Sequence, residues 1–110
     1  MTYDDIISLK GQRILESGTK EEKTEFCAKW ARKRKLPALE GTEKQVAWAE
    51  VLRVERSVEW IFTAILDKNQ ELANRAMRVM QGAKDAKYWI DARYDTNDYA
   101  IDRWECEHRE

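Results

Sequence analysis

The most regular hydrophobic pattern in this 110-residue chain runs from Thr42 to Leu66. Apolar residues recur there in steps of four and three, the spacing of one face of an α-helix. They are Ala47, Val51, Val54, Val58, Ile61 and Ile65, and the flank is widened by Trp48, Phe62 and Leu66. Thr42 followed three residues later by Gln45 fits a capping box. The pattern predicts a central helix over residues 42–66, with this stripe against the core.

Trp60 lies on a different face of the predicted central helix, beside Arg53 and Arg56. One interpretation is that a second helix covers this face, so that Trp60 belongs to the core. The other is that Trp60, Arg53 and Arg56 anchor a binding partner, because Trp and Arg are enriched at interaction hot spots. The sequence leaves both open.

The chain before residue 42 predicts two further helices. The first begins near Thr2 and ends at Ser17 and Gly18. The second begins at Thr19, where Glu22 completes another capping box, and it ends in a run of cations before Pro37. Phe26, Cys27 and Trp30 share helical spacing in this second helix, so we expect them to pack inward.

The chain after residue 66 predicts three more helical segments. The central helix could continue to Gln81, since Leu72, Ala76 and Val79 keep the register of Ile65, or it could break at residues 67–69. We favour the break, because a helix of about 40 residues is long for so small a domain. A helix then runs to Gln81, another runs from Lys84 to Tyr94 with Trp89 and Tyr94 inward, and the last runs from Asn97 to about Glu107. The expected fold is a single all-α domain over residues 1–110, a compact bundle of five or six helices around residues 42–66.

Composition and charge narrow the class of protein further. One Pro and four Gly argue against a β-sandwich or barrel. The net charge is −1, so no overall field attracts the chain to nucleic acid or membrane. There is no apolar run of the ~18 residues that a membrane span needs, and the start MTYDD is unlike a signal peptide. We expect a cytoplasmic protein with reduced cysteines and no membrane partner.

Acidic and aromatic residues are interleaved near the end of the chain. Such a surface could dock on a basic patch of another protein or imitate a phosphate backbone, and the alternative is a solvated helix face. The candidate contact residues are Asp91, Asp95, Asp98, Tyr99, Asp102 and Glu105.

The best nucleic-acid candidate is a basic run at the predicted end of the second helix. Its five cations could neutralise a few phosphates, whereas the alternative is a solvated helix end whose cations favour the negative end of the dipole. The cations are Lys29, Arg32, Lys33, Arg34 and Lys35.

Catalytic and metal-binding chemistry has little support in the sequence. The single histidine, His108, is close to the end of the printed sequence, and there is no Gly-rich phosphate loop. Cys106, His108 and Cys27 lack the spacing of a zinc site. We therefore predict no enzymatic activity, no metal and no cofactor, and we leave open a homodimer formed through residual apolar surface.

Two stretches resemble a pattern found in small uncharacterised proteins of phages and other bacterial mobile elements. They are LPALEGTEKQVAWAEVLR at residues 36–53 and AKYWIDAR at residues 86–93, about a quarter of the chain. The pattern has the form L-x-G-[ST]-x-K-Q-x-x-W-A-x-x-x-R followed by a W-I-D-x-R element. The resemblance implies a protein that acts in a bacterial host cell. By analogy it implies binding and blocking a host protein, as anti-CRISPR inhibitors of host defence complexes do.

Overall fold

A computed structural model describes residues 6–107, and in this range the chain is all-α. The elements are α1 (Leu9–Ser17), α2 (Lys20–Lys33), α3 (Glu43–Leu66), α4 (Gln70–Gly82), α5 (Ala86–Asp91), a 3₁₀ turn (Ala92–Tyr94) and α6 (Asn97–Glu107). The predicted bundle around a long central helix is confirmed. The central helix α3 packs against α2, α4 and α5.

Both predicted capping boxes are present. In α2 the Thr19 hydroxyl accepts from the Glu22 amide, and the Glu22 side chain accepts from the Thr19 amide. Thr42 and Gln45 repeat this arrangement at the start of α3. The two helices therefore begin where the sequence predicts, because each pair satisfies two amides that have no partner within the helix.

The predicted first helix is interrupted within the described residues. Thr2 lies outside the described residues, and α1 begins only at Leu9, after an interruption at residues 7 and 8. Ser8 is its N-cap and accepts from the Gly11 amide at 3.1 Å. Gly11 faces the Phe26 ring so closely that a Cβ atom there would lie 2.1 Å from Phe26 Cζ. Because Gly11 has no side chain, α1 and α2 can pack closely against each other here.

The break between α3 and α4 lies where it was predicted. Lys68 takes a left-handed backbone conformation with φ of 50°, which ends the helical path after Leu66. Asn69 then caps α4, since its side chain accepts from the Leu72 amide at 3.0 Å. The turn lets α4 fold back along α3 and bury Ala76 and Val79.

The burial of α3 differs from the predicted stripe. Val54 and Val58 are buried, but Ala47, Val51, Ile61 and Ile65 are only half-buried. The opposite face, with Ala49, Arg53, Trp60 and Ala64, is buried instead. Because neighbouring helices cover a central helix on several sides, its most apolar stripe does not have to be its most buried face.

A backbone bridge joins the start of α3 to the start of α5. The Glu40 amide donates to the Lys84 carbonyl at 2.7 Å, and the Ala86 amide donates to the Glu40 carbonyl at 2.9 Å. The two stretches that carry the resemblance, residues 36–53 and 86–93, therefore lie side by side. Within the described residues, no helix has the length and apolarity needed to cross a membrane.

The two cysteines differ in their accessibility, as the sequence predicts for Cys27. Cys27 is buried, and burial raises the pKa of its thiol to about 12, so the reactive thiolate is scarce at neutral pH. Cys106 is exposed.

We expect a thiol-specific chromogenic reagent to titrate one cysteine per chain in the native protein and two after denaturation. Cys106→Ser should leave almost no rapid reaction, and a fast reaction in that variant would contradict the packing around Cys27.

Candidate functional site

Trp60 is part of the core. Its side chain is 0% exposed, its ring centroid lies 5.8 Å from that of Trp89, and its indole N–H donates to the Asn97 carbonyl at 3.2 Å. The interpretation of Trp60 as a partner anchor is therefore wrong for this fold. Helix α5 and the start of α6 cover the face, as the alternative interpretation required.

Arg53 is also withdrawn from solvent, with 1% of its surface exposed. Its guanidinium donates to the Pro37 carbonyl at 2.7 Å and to Glu50 Oε2 at 3.3 Å. Burial lowers the pKa of Arg53, and the charge of Glu50 partly opposes this. Arg53 thus fastens the loop before α3, and the prediction that it contacts a partner is wrong.

Arg56 of α3 donates several hydrogen bonds to the turn between α5 and α6. It donates to the Ala92 carbonyl at 2.9 Å, to the Asp95 carbonyl at 2.8 Å and to Asn97 Oδ1 at 2.9 Å. Hydrogen bonds from a charged donor are among the stronger ones in proteins. The predicted contact role of Arg56 is therefore replaced by a supporting one, which fixes the conformation of residues 92–97.

Two exposed tyrosines lie at this turn and in the first turn of the helix that follows it. Tyr94 is 85% exposed and Tyr99 is 62% exposed. The prediction that Tyr94 points inward is wrong, because the 3₁₀ turn at Ala92–Tyr94 rotates it away from the face that α5 buries. The Arg93 guanidinium lies over the Tyr94 ring at 4.5 Å and over the Trp48 ring at 4.9 Å. Trp48, which the hydrophobic pattern predicts to face the core, is 47% exposed as well.

The predicted acidic residues divide into two groups. Asp95 is largely covered and bound to Arg103 at 2.8 Å, which raises the pKa of Arg103. Glu105 is half-buried and bound at 2.6 Å to Arg75 of α4. These two carboxylates join elements of the fold. Their pairing with arginines makes them poor candidates for partner contact.

Asp91, Asp98 and Asp102 remain exposed. Asp102 shares Arg75 with Glu105, at 2.7 Å, but 59% of its own side chain stays exposed. Asp91 lies 3.5 Å from Lys87 Nζ in a solvent-exposed pair of little energetic weight. We refer to the exposed set as the acidic tyrosine surface. It consists of Asp91, Tyr94, Asp98, Tyr99 and Asp102.

Two of the five cations of the basic run make contacts with other described residues. Arg34 stacks on the Trp30 ring at 3.8 Å and donates to the Ile6 carbonyl at 2.7 Å, while Lys29 pairs with Glu25. Trp30 is buried and offers no ring for base stacking. Arg32, Lys33 and Lys35 are exposed, and so is Lys29 despite its pairing with Glu25.

No known relative bears on this site. Protein-family models, curated proteins and solved structures give no match to the chain. Among residues 6–107, no three His, Cys, Asp or Glu side chains are grouped so that they could hold a metal ion; His108 lies outside this range. The function is therefore inferred from geometry and chemistry.

Proposed function

We propose that this chain is a non-enzymatic protein-binding module that uses the acidic tyrosine surface. The supporting observation is that two tyrosines close together in the sequence are exposed: Tyr94 on the turn whose carbonyls are bound by Arg56, and Tyr99 in the first turn of α6. Tyrosines provide large contact area at low entropic cost, and a turn that is already ordered loses little further freedom on binding. The exposed aspartates would add attraction and selectivity for a basic protein surface.

The resemblance at residues 36–53 and 86–93 suggests where such a module works. We propose that it originates in a phage or mobile element and binds a protein of the bacterial host, in the manner of an inhibitor of a defence complex. The two stretches are joined by the hydrogen bond from the Ala86 amide to the Glu40 carbonyl. The second stretch leads directly into the turn that carries Tyr94, and Arg56 of α3 donates to Ala92 in that turn.

The test is affinity capture from bacterial lysate with and without nuclease, followed by a binding titration with the captured protein. We expect a partner that survives nuclease treatment. The double variant Asp98→Lys/Asp102→Lys should weaken its binding at least tenfold, and Tyr94→Ala/Tyr99→Ala about a hundredfold, as for hot-spot residues. Both variants should keep the helical circular dichroism of the native chain, because all four side chains are exposed.

The matched control is Glu21→Lys/Glu25→Lys on α2. It makes the same change of charge at the same four-residue spacing on another exposed helix face. We expect it to bind like the native chain. Equal losses in the control and test variants would show a net-charge effect and contradict the proposed surface. Recovery of nucleic acid, with partners lost after nuclease, would instead point to Arg32, Lys33 and Lys35.

A further inference from the structure

Two shallow apolar depressions, together called the α3 groove, follow one another along α3. Its first part has a floor of Ala47, Trp48 and Val51, and its rim carries lysines from α2 and α3. The lysines are Lys20, Lys23 and Lys44. Trp48 is 47% exposed here, which is a large apolar area for a surface position.

The second part of the groove lies along the next two turns of α3 and carries the opposite charge. Leu15, Val58 and Phe62 line this second part. Its rim carries glutamates from α1 and α3, namely Glu16, Glu55 and Glu59. The charges of the two parts lie close together where they meet. Burial raises the pKa of Glu55 in the second part, and the charge of Lys23 in the first part lowers it.

We infer that this α3 groove is the contact surface for a second copy of the chain, packed antiparallel about a two-fold axis. A uniformly acidic or basic partner would be attracted to one part of the groove and repelled by the other. A second copy related by two-fold symmetry presents its lysines to the glutamates of the first, and the same contacts are repeated on the other side of the axis.

The register follows from the positions of the charges on α3. Lys44 and Glu59 are about 22 Å apart along the helix at 1.5 Å per residue. An axis near Val51 and Leu52 lies halfway between them, so Lys44 of each copy faces Glu59 of the other. Apolar side chains then meet at the centre and charges lie at the rim, the usual anatomy of a protein interface.

The experiment is sedimentation velocity on the purified chain over a wide range of concentrations, at low and high salt. We expect a reversible dimer that weakens as salt rises. Lys44→Glu alone and Glu59→Lys alone should each raise the dimer dissociation constant at least tenfold, because each brings like charges together. The double variant Lys44→Glu/Glu59→Lys should restore dimerisation, since the swapped charges are again complementary.

Two outcomes would overturn the inference. One is a native chain that stays monomeric at every concentration. Binding of an acidic helical peptide to the lysine part of that monomer would assign the groove to an acidic partner instead. The other is a dimer that neither single variant weakens or that the double variant fails to restore. Circular dichroism of each variant checks that the fold is intact. The inference does not depend on the proposed function, because it uses none of the residues of the acidic tyrosine surface, although Arg93 lies over both Trp48 and Tyr94 where the two surfaces adjoin.

Discussion

Replacing Trp60 with alanine is expected to lower the free energy of unfolding by about 3–5 kcal/mol. The indole fills space between α3 and α5 and packs against Trp89, and its N–H binds the Asn97 carbonyl at the start of α6. The substitution leaves a cavity and a buried carbonyl without its donor. Domains of this size have only about 5–15 kcal/mol of stability in total, so partial unfolding at 37 °C is a realistic outcome.

Urea denaturation followed by far-ultraviolet circular dichroism measures this loss. The control is Tyr94→Ala, which also removes an aromatic ring but from an exposed position. It should change stability by no more than about 0.5 kcal/mol. A Trp60→Ala protein as stable as the control would mean that Trp60 is not packed between these helices.

Replacing Arg53 with alanine is expected to cost about 3–5 kcal/mol, the range for breaking a buried ion pair by removing one partner. The Pro37 carbonyl would lose its charged donor, and Glu50 would lose its counter-charge in a partly covered position. The segment before α3 would then be held less tightly. Hydrogen exchange at the amides of residues 36–42 should become faster than in the native chain.

Ser57→Ala is the matched control for Arg53→Ala. Ser57 lies one turn further along the same buried face of α3, and its hydroxyl has no hydrogen-bond partner among the described residues. Removal of this unpaired polar group should be neutral or stabilising by up to about 1 kcal/mol. If Arg53→Ala were as mild as Ser57→Ala, the hydrogen bonds assigned to Arg53 would contribute little.

The sequence predicts local features of this fold well. The capping boxes at Thr19 and Thr42, the break at Asp67 and the start of α6 at Asn97 all depend on side chains close in sequence. The structure and the sequence agree there because capping and turn formation are local equilibria. The all-α class follows for the same reason.

The candidate site was predicted less well, because its features depend on distant parts of the chain. Whether Trp60 and Arg53 contact a partner or belong to the core depends on whether another segment covers them. The segments that contain Asn97 and Pro37 do so. Tyr94 was misplaced because the helical period was continued through a 3₁₀ turn, which changes the direction of the side chain. The pairing of Glu105 with Arg75 likewise joins residues that no spacing rule connects.

The bridge between Glu40 and Asp85 has a consequence for the order in which the chain folds. Helices α3 and α4 form a loop whose two ends meet at this bridge. Closing a loop of ~45 residues costs about 3 kcal/mol of chain entropy or more before any contact across it can form. The hairpins α1–α2 and α3–α4 close much shorter loops at a smaller entropic cost, so they should form first. The docking of α5 against α3, and with it the ordering of the turn that displays Tyr94, would then be a late step in folding.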